Sequence, residues 1–186
     1  MAERSALRVG PPVLSEPPRT SAPPSRNGKG AGRIHVLDRS QWVPTPLRET
    51  FAFFASAANL QGLTPPWLHF RILTALPVEM REGAQIEYAL RVHGIPVRWC
   101  SRITKWRPEA EFVDEQHAGP YEHWVHRHSF RAERGGTRIG DRVEYSLPLD
   151  PLSRPVHSLV VRPLLERIFE FRGQVIARRF RHVHLW

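Results

Sequence analysis

From Leu68 to Tyr145, apolar side chains recur at every second residue, in six runs broken by short turns. A period of two is the signature of a strand with one buried and one wet face. Leu68, Phe70 and Ile72 open the series, followed by Ile86, Tyr88, Leu90 and Val92, then Val97, Trp99, Ser101 and Ile103. Another strand starts at Phe112 and runs to about His117. Trp124, His126, His128 and Phe130 come next, and Ile139, Asp141, Val143 and Tyr145 complete the set. The segments His93-Gly94-Ile95-Pro96, Gly119-Pro120 and Gly135-Gly136 are turns. Six strands joined this way predict an antiparallel meander. At Ser153 the period lengthens to that of a helix, predicted to reach about His182 with a bend at Pro163. Its apolar stripe is Val156, Leu159, Val160, Leu164, Ile168, Phe169, Val175, Ile176 and Phe180.

Before the meander, Ile34 and Val36 suggest one further strand, and Thr45 is placed to cap a helix starting at Pro46. Leu47, Phe51, Phe54 and Ala58 follow at helical spacing, and a second short helical turn runs from Asn59 to Pro66. The first 32 residues differ in kind. They hold six of the 18 prolines and none of the aromatic residues. Too little apolar surface is available there to offset the entropy of ordering, so 1–32 is expected to be a disordered Pro/Arg-rich leader and 33–186 the folded domain.

The chain has 186 residues and a formal net charge of +9, and 27 residues are Lys or Arg. The basic residues are interspersed with acids, except for Arg178-Arg179-Phe180-Arg181, where a helix dipole would also favour cations. A basic balance alone does not assign nucleic acid as a partner. The single cysteine, Cys100, excludes an intramolecular disulfide and a Cys-cluster zinc site. It alternates onto the outer face beside Arg98 and Arg102, which would lower its thiol pKa. No window holds 18 apolar residues, so no membrane span is expected. Met1-Ala2-Glu3-Arg4 lacks the apolar run of a secretory signal, and a cytoplasmic location is the expectation. Oligomeric state is not legible.

Three stretches carry a family resemblance: Leu60-Gln61-Gly62-Leu63-Thr64-Pro65-Pro66-Trp67, Gly119-Pro120-Tyr121-Glu122-His123-Trp124-Val125-His126, and Asp141-Arg142-Val143-Glu144-Tyr145. Over about 33–183 the chain resembles the SRPBCC superfamily (START-like, polyketide-cyclase and lipid-transport proteins), in particular its bacterial ligand-binding branch. The resemblance implies an α+β helix-grip fold. In it a curved seven-stranded antiparallel sheet wraps a long C-terminal helix, with two short helices after the first strand. It also implies a cavity for a small hydrophobic ligand, but it supplies no shared reaction.

Alternation gives the cavity-facing candidates. Phe70, Tyr88, Trp99, Phe112, Trp124, Tyr145 and Phe169 offer aromatic surface, and Asp114, Gln116, His126, His128 and Asp141 share their faces. Three neighbouring strands thus aim polar groups into one region, where each must find a partner. Such a patch can brace the sheet, orient a ligand, or move protons through His126, His128 and Asp141. His126-x-His128 with a carboxylate across the sheet has the donor types of a zinc site. Two such histidines arise readily by chance in a chain with ten, so no metal or cofactor is assigned. The reading adopted is binding or transport of a small hydrophobic ligand. The alternatives are a cyclase/aromatase- or dehydratase-type enzyme and a basic protein-interaction module.

Overall fold

A computed structural model describes residues 32–149 and 152–180. The expected leader lies almost wholly outside these residues, as does the expected last stretch of the C-terminal helix, 181–182. Strand β1 (His35–Val43) leads into α1 (Leu47–Phe54) and α2 (Leu60–Leu63). The meander follows as β2 (Arg71–Ile72), β3 (Gln85–Val92), β4 (Ile95–Arg107), β5 (Glu111–Ala118), β6 (His123–Glu133) and β7 (Gly136–Ser146). The chain closes with α3 (Arg154–Val156), a π-helical segment (His157–Val161) and α4 (Arg162–Phe180). All seven strands join one antiparallel sheet in the order β1-β7-β6-β5-β4-β3-β2. This is the helix-grip architecture that the sequence predicts.

Local chemistry sets the turns. Gly94 and Gly135 have φ of 81° and 74°, the left-handed region that glycine enters without steric cost, and each closes a tight hairpin. Pairing of β4 with β5 slips between Cys100 and Ser101 and again between Ile103 and Lys105. Such irregularities sharpen strand bending, and here they curve the middle of the sheet. The outer face is polar and self-paired. Glu111, for example, meets Lys105, Arg107 and Arg127 from three directions. Much of the basic excess on the sheet is therefore matched locally.

Two apolar clusters form the interior. The larger joins α1, α2 and the end of α4 to the sheet through Val43, Phe51, Phe54, Leu63, Ile103, Phe112, Phe130, Ile139, Ile176 and Phe180. The smaller joins the first half of α4 to β1 and β7 through Leu37, Val143, Tyr145, Leu165 and Phe169. Gln41 fixes the helix against β1 by donating from Nε2 to the Gly173 carbonyl at 3.0 Å.

Several local expectations differ from the structure. The strand expected over 68–72 is only Arg71–Ile72, because Pro66–Leu68 is a 3₁₀ turn and His69 is left-handed with φ 46°. Thr45 caps nothing. It is buried, and its carbonyl accepts from Thr50 Oγ1 and Thr137 Oγ1 instead. The helix irregularity falls over His157–Val161, one turn before Pro163. Of the expected stripe, Phe169, Ile176 and Phe180 are buried, but Val156 and Leu159 are exposed, and Leu165 takes the core position. Cys100 is buried, not exposed on the outer face. Burial and the charge of Glu87 push its thiol pKa up. No helix among the described residues is long and apolar enough to cross a membrane.

Ile139 is 1% exposed inside the larger cluster. Ile139→Ala is expected to cost about 2–5 kcal/mol through lost transfer energy and a residual cavity. Ile95→Ala, at a side chain 67% exposed, should stay within about 0.5 kcal/mol. Urea unfolding followed by Trp emission measures both.

Candidate functional site

Between the two clusters the interior is hollow. A cavity of about 510 Å³ lies under α1, α2 and α4 on the concave side of the sheet. Its wall is largely aromatic and aliphatic, with Phe53, Phe54, Leu60 and Met80 from the α1–β3 region and Leu164, Leu165 and Ile168 from the helix. Ile95 and Val156 line it and are also 67% and 52% exposed, so they mark an entrance beside the β3–β4 hairpin.

Strand register builds the polar floor. On β5 and β6, Asp114 sits directly opposite His126. On β6 and β7, His128 sits directly opposite Asp141. The two imidazoles, 3.8 Å apart between centroids, are therefore held between two carboxylates. His126 Nε2 lies 3.0 Å from Asp141 Oδ1, and His126 Nδ1 lies 3.5 Å from Asp114 Oδ2. His128 Nε2 lies 3.2 Å from Asp114 Oδ2. His128 Nδ1 approaches Asp141 Oδ1 to 2.9 Å but off the hydrogen-bonding direction. Ser101 donates to Asp114 Oδ1 at 3.4 Å, Trp99 Nε1 donates to Ser101 Oγ at 3.1 Å, and Tyr88 OH lies 3.2 Å from the same oxygen. Phe112 stacks on His128, and Phe169 meets His126 edge-on.

Burial and charge pull these groups apart. Burial opposes ionisation of Asp114, but the hydrogen bond from His128 and the charges of both histidines outweigh it, so its carboxyl lies below its ordinary pKa. Asp141 is likewise penalised by burial, and the Arg172 charge with its two histidine partners holds it well below the usual range. His126 is pushed down by burial and by the neighbouring His128. Burial lowers His128 too, but its bonds to Asp114 and Asp141 prevail and raise it. Tyr88 is raised, mainly by burial and then by Asp114.

Of the sequence candidates, nine line the cavity: Phe70, Tyr88, Trp99, Phe112, Asp114, Trp124, His126, His128 and Phe169. Asp141, Gln116 and Tyr145 do not. Asp141 lies behind the histidines and faces a second cleft between β1 and α4. Gln116 folds back on its own turn, donating from Nε2 to the Tyr121 carbonyl at 2.7 Å and accepting from the Tyr121 N–H at 3.1 Å. Tyr145 is buried in the smaller cluster, with its hydroxyl 3.0 Å from His157 Nε2. Sequence reasoning missed Arg172. It borders both the main cavity and the cleft, and its guanidinium lies 5.8 Å and 5.9 Å from the rings of Phe54 and Phe169. Its Nε is buried without a hydrogen-bond partner. The signal was present: position 172 falls three after Phe169 and seven after Leu165, on the buried stripe.

A model of the family described as polyketide cyclase / dehydrase and lipid transport matches residues 43–169, more than half of the chain. No curated protein matches the sequence. Among solved structures, protein Ms6760 from Mycobacterium smegmatis is 14% identical, with a TM-score of 0.60, covering 80% of this chain and 92% of its own. TTHA0849 from Thermus thermophilus is 21% identical, with a TM-score of 0.59 over 78% and 97%. Zhui aromatase/cyclase from Streptomyces sp. R1128 is 14% identical, with a TM-score of 0.58 over 82% and 99%. At these identities the likeness is one of fold.

Gln116 braces the β5–β6 turn with two hydrogen bonds, so Gln116→Ala should destabilise the protein by about 1–3 kcal/mol. Because the side chain is not on the cavity wall, binding of a hydrophobic fluorescent probe should be unchanged. Denaturant titration and probe titration measure the two effects separately.

Proposed function

The chain belongs to the polyketide cyclase / dehydrase and lipid transport family, and from that premise we propose that it binds a small hydrophobic molecule, of lipid-, polyketide- or aromatic-like character, between sheet and helix. The observation that carries this reading is the cavity of about 510 Å³, apolar over most of its wall and polar at one end. Its volume falls in the range of small-molecule sites, and a few convergent polar groups in an apolar wall are how such sites fix orientation. The ligand's apolar body lies against Phe70, Trp99, Leu164 and Ile168. Its polar end points to the floor, where Arg172 carries a buried donor with no partner. An anionic end would supply the missing acceptor through a charge-assisted hydrogen bond. In a cytoplasmic setting such a protein acts as a carrier or a sensor of that ligand.

A second reading is favoured by one specific contact, the 3.0 Å approach of His126 Nε2 to Asp141 Oδ1 beside the cavity. In a cyclase- or dehydratase-type enzyme His126 or His128 would exchange a proton with a reactive chain held bent by the wall, while Asp141 holds the imidazole. Loss of turnover in His126→Ala, with the fold retained, is what that reading requires.

Leu90→Trp projects extra volume into the cavity from its wall. It is expected to weaken binding of 1-anilinonaphthalene-8-sulfonate by at least about tenfold, equivalent to roughly 1.4 kcal/mol. Unchanged affinity in a folded variant would reject the cavity as the binding place. In displacement of the same probe, dodecanoate should outcompete dodecanol. Arg172→Met should erase that preference, a change of about tenfold or more for a charge-assisted contact.

A further inference from the structure

We propose that Asp114, His126 and His128 form a binding site for one divalent transition-metal ion, zinc being the test case, with an open coordination position facing the cavity. The geometry carries it. One oxygen or nitrogen from each residue can be chosen so that the three atoms lie within 4.8 Å of one another. Asp114 Oδ2 is 3.2 Å from His128 Nε2 and 3.5 Å from His126 Nδ1. For metal–ligand bonds of about 2.0 Å, adjacent donors of a tetrahedral site stand about 3.3 Å apart. Two of the three edges are thus already near their working length.

Hydrogen-bond accounting points the same way. Behind the three donor atoms, Asp141 Oδ1 stands 3.0 Å from His126 Nε2 in hydrogen-bonding geometry and 2.9 Å from His128 Nδ1 off that direction. With His126 Nε2–H donating to Asp141, His126 Nδ1 is left as a lone pair facing the Asp114 carboxylate, while His128 Nε2 makes the hydrogen bond to Asp114 Oδ2 at 3.2 Å. A cation in place of the proton between His128 Nε2 and Asp114 would meet two imidazole nitrogens and a carboxylate oxygen, and that proton would move to His128 Nδ1, which otherwise has no hydrogen-bond partner. A carboxylate behind a ligating histidine fixes its tautomer and orientation, as Asp141 does here for His126. Ser101 orients the third ligand by donating to Asp114 Oδ1.

Position separates the roles. Asp114, His126 and His128 line the main cavity, whereas Asp141 does not. Three protein ligands on the cavity side leave a fourth position for water or for a ligand's polar end, the pattern of an open zinc site. This inference does not require the hydrophobic-ligand reading, since the ion would bind without one.

The test uses the untagged full chain, stripped with chelator, exposed to zinc sulfate and desalted. About one zinc per chain should be retained, measured by plasma mass spectrometry. Competition with a chromogenic chelator should then find at least about 100-fold weaker binding in Asp114→Asn and His128→Gln, and about 10–100-fold weaker binding in Asp141→Asn. The sequence carries another His-x-His pair at His182 and His184, so His182→Ala/His184→Ala serves as control and should keep the ion. Retention well below one zinc per chain overturns the proposal, as does zinc lost in the control but kept in Asp114→Asn and His128→Gln. Should those two variants fail to fold by circular dichroism, X-ray absorption of the zinc-loaded control decides. Two imidazoles with one or two oxygen donors at about 2.0 Å, the second being water in the open position, support the site, and any other donor set rejects it. A protein that refuses zinc yet binds the fluorescent probe loses this site and keeps its cavity.

Discussion

Four ionisable side chains on three adjacent strands have been taken out of water together, and each can be tolerated there only because the others are present. An unpaired carboxylate or imidazolium at this depth would cost several kcal/mol. Register meets the requirement. With Asp114 opposite His126 and Asp141 opposite His128, the carboxylates fall on diagonal corners of a box whose other corners are the imidazoles. A slip of one residue between β5 and β6 would send Asp114 to the wet face and leave the histidines without one partner. The box therefore fixes the pairing of the central strands, and the cavity above it inherits its shape from that pairing.

The box also explains why the interior is hollow where it is. The two apolar clusters stand on either side, one built on the end of α4 and one on its beginning. Phe112 and Phe54 approach His128 from the first, and Phe169 approaches His126 from the second. Further apolar packing directly over the polar floor would have to desolvate Arg172 and the carboxylates with nothing in return. Space left there keeps Asp114 and the Arg172 side chain on the cavity wall.

Much of this was legible in the sequence because a strand period of two is unambiguous over many residues. Asp114, His126, His128 and Asp141 were identified from phase alone, since a β6 flanked by β5 and β7 leaves them only one common face. Phase could not say how deep along the strand each residue sits. Gln116 shares a face with Asp114 but lies next to the turn, where backbone groups at Tyr121 claim its amide. Tyr145 shares a face with Asp141 but lies at the end covered by the π-helical segment, where His157 takes its hydroxyl. Asp141 is in phase too, yet the histidines stand between it and the main cavity. Arg172 escaped for a different reason. On a helix carrying several arginines, one that points inward is distinguished only by its place on the stripe, and the stripe itself had been drawn through Leu164 and not Leu165.

The asymmetry of the cavity restricts what can fill it. Most of its wall offers dispersion and burial, which favour any apolar body of suitable volume. The floor imposes a second condition. A wholly apolar occupant would leave the buried Arg172 Nε without an acceptor and would cover the Asp114 carboxylate, at a cost of roughly 1–3 kcal/mol for each group left unmet. An occupant with one polar end avoids that cost and is held in one direction. Selection for amphiphiles over plain hydrocarbons thus follows from a few buried polar atoms, and the same atoms decide which end of the molecule enters first.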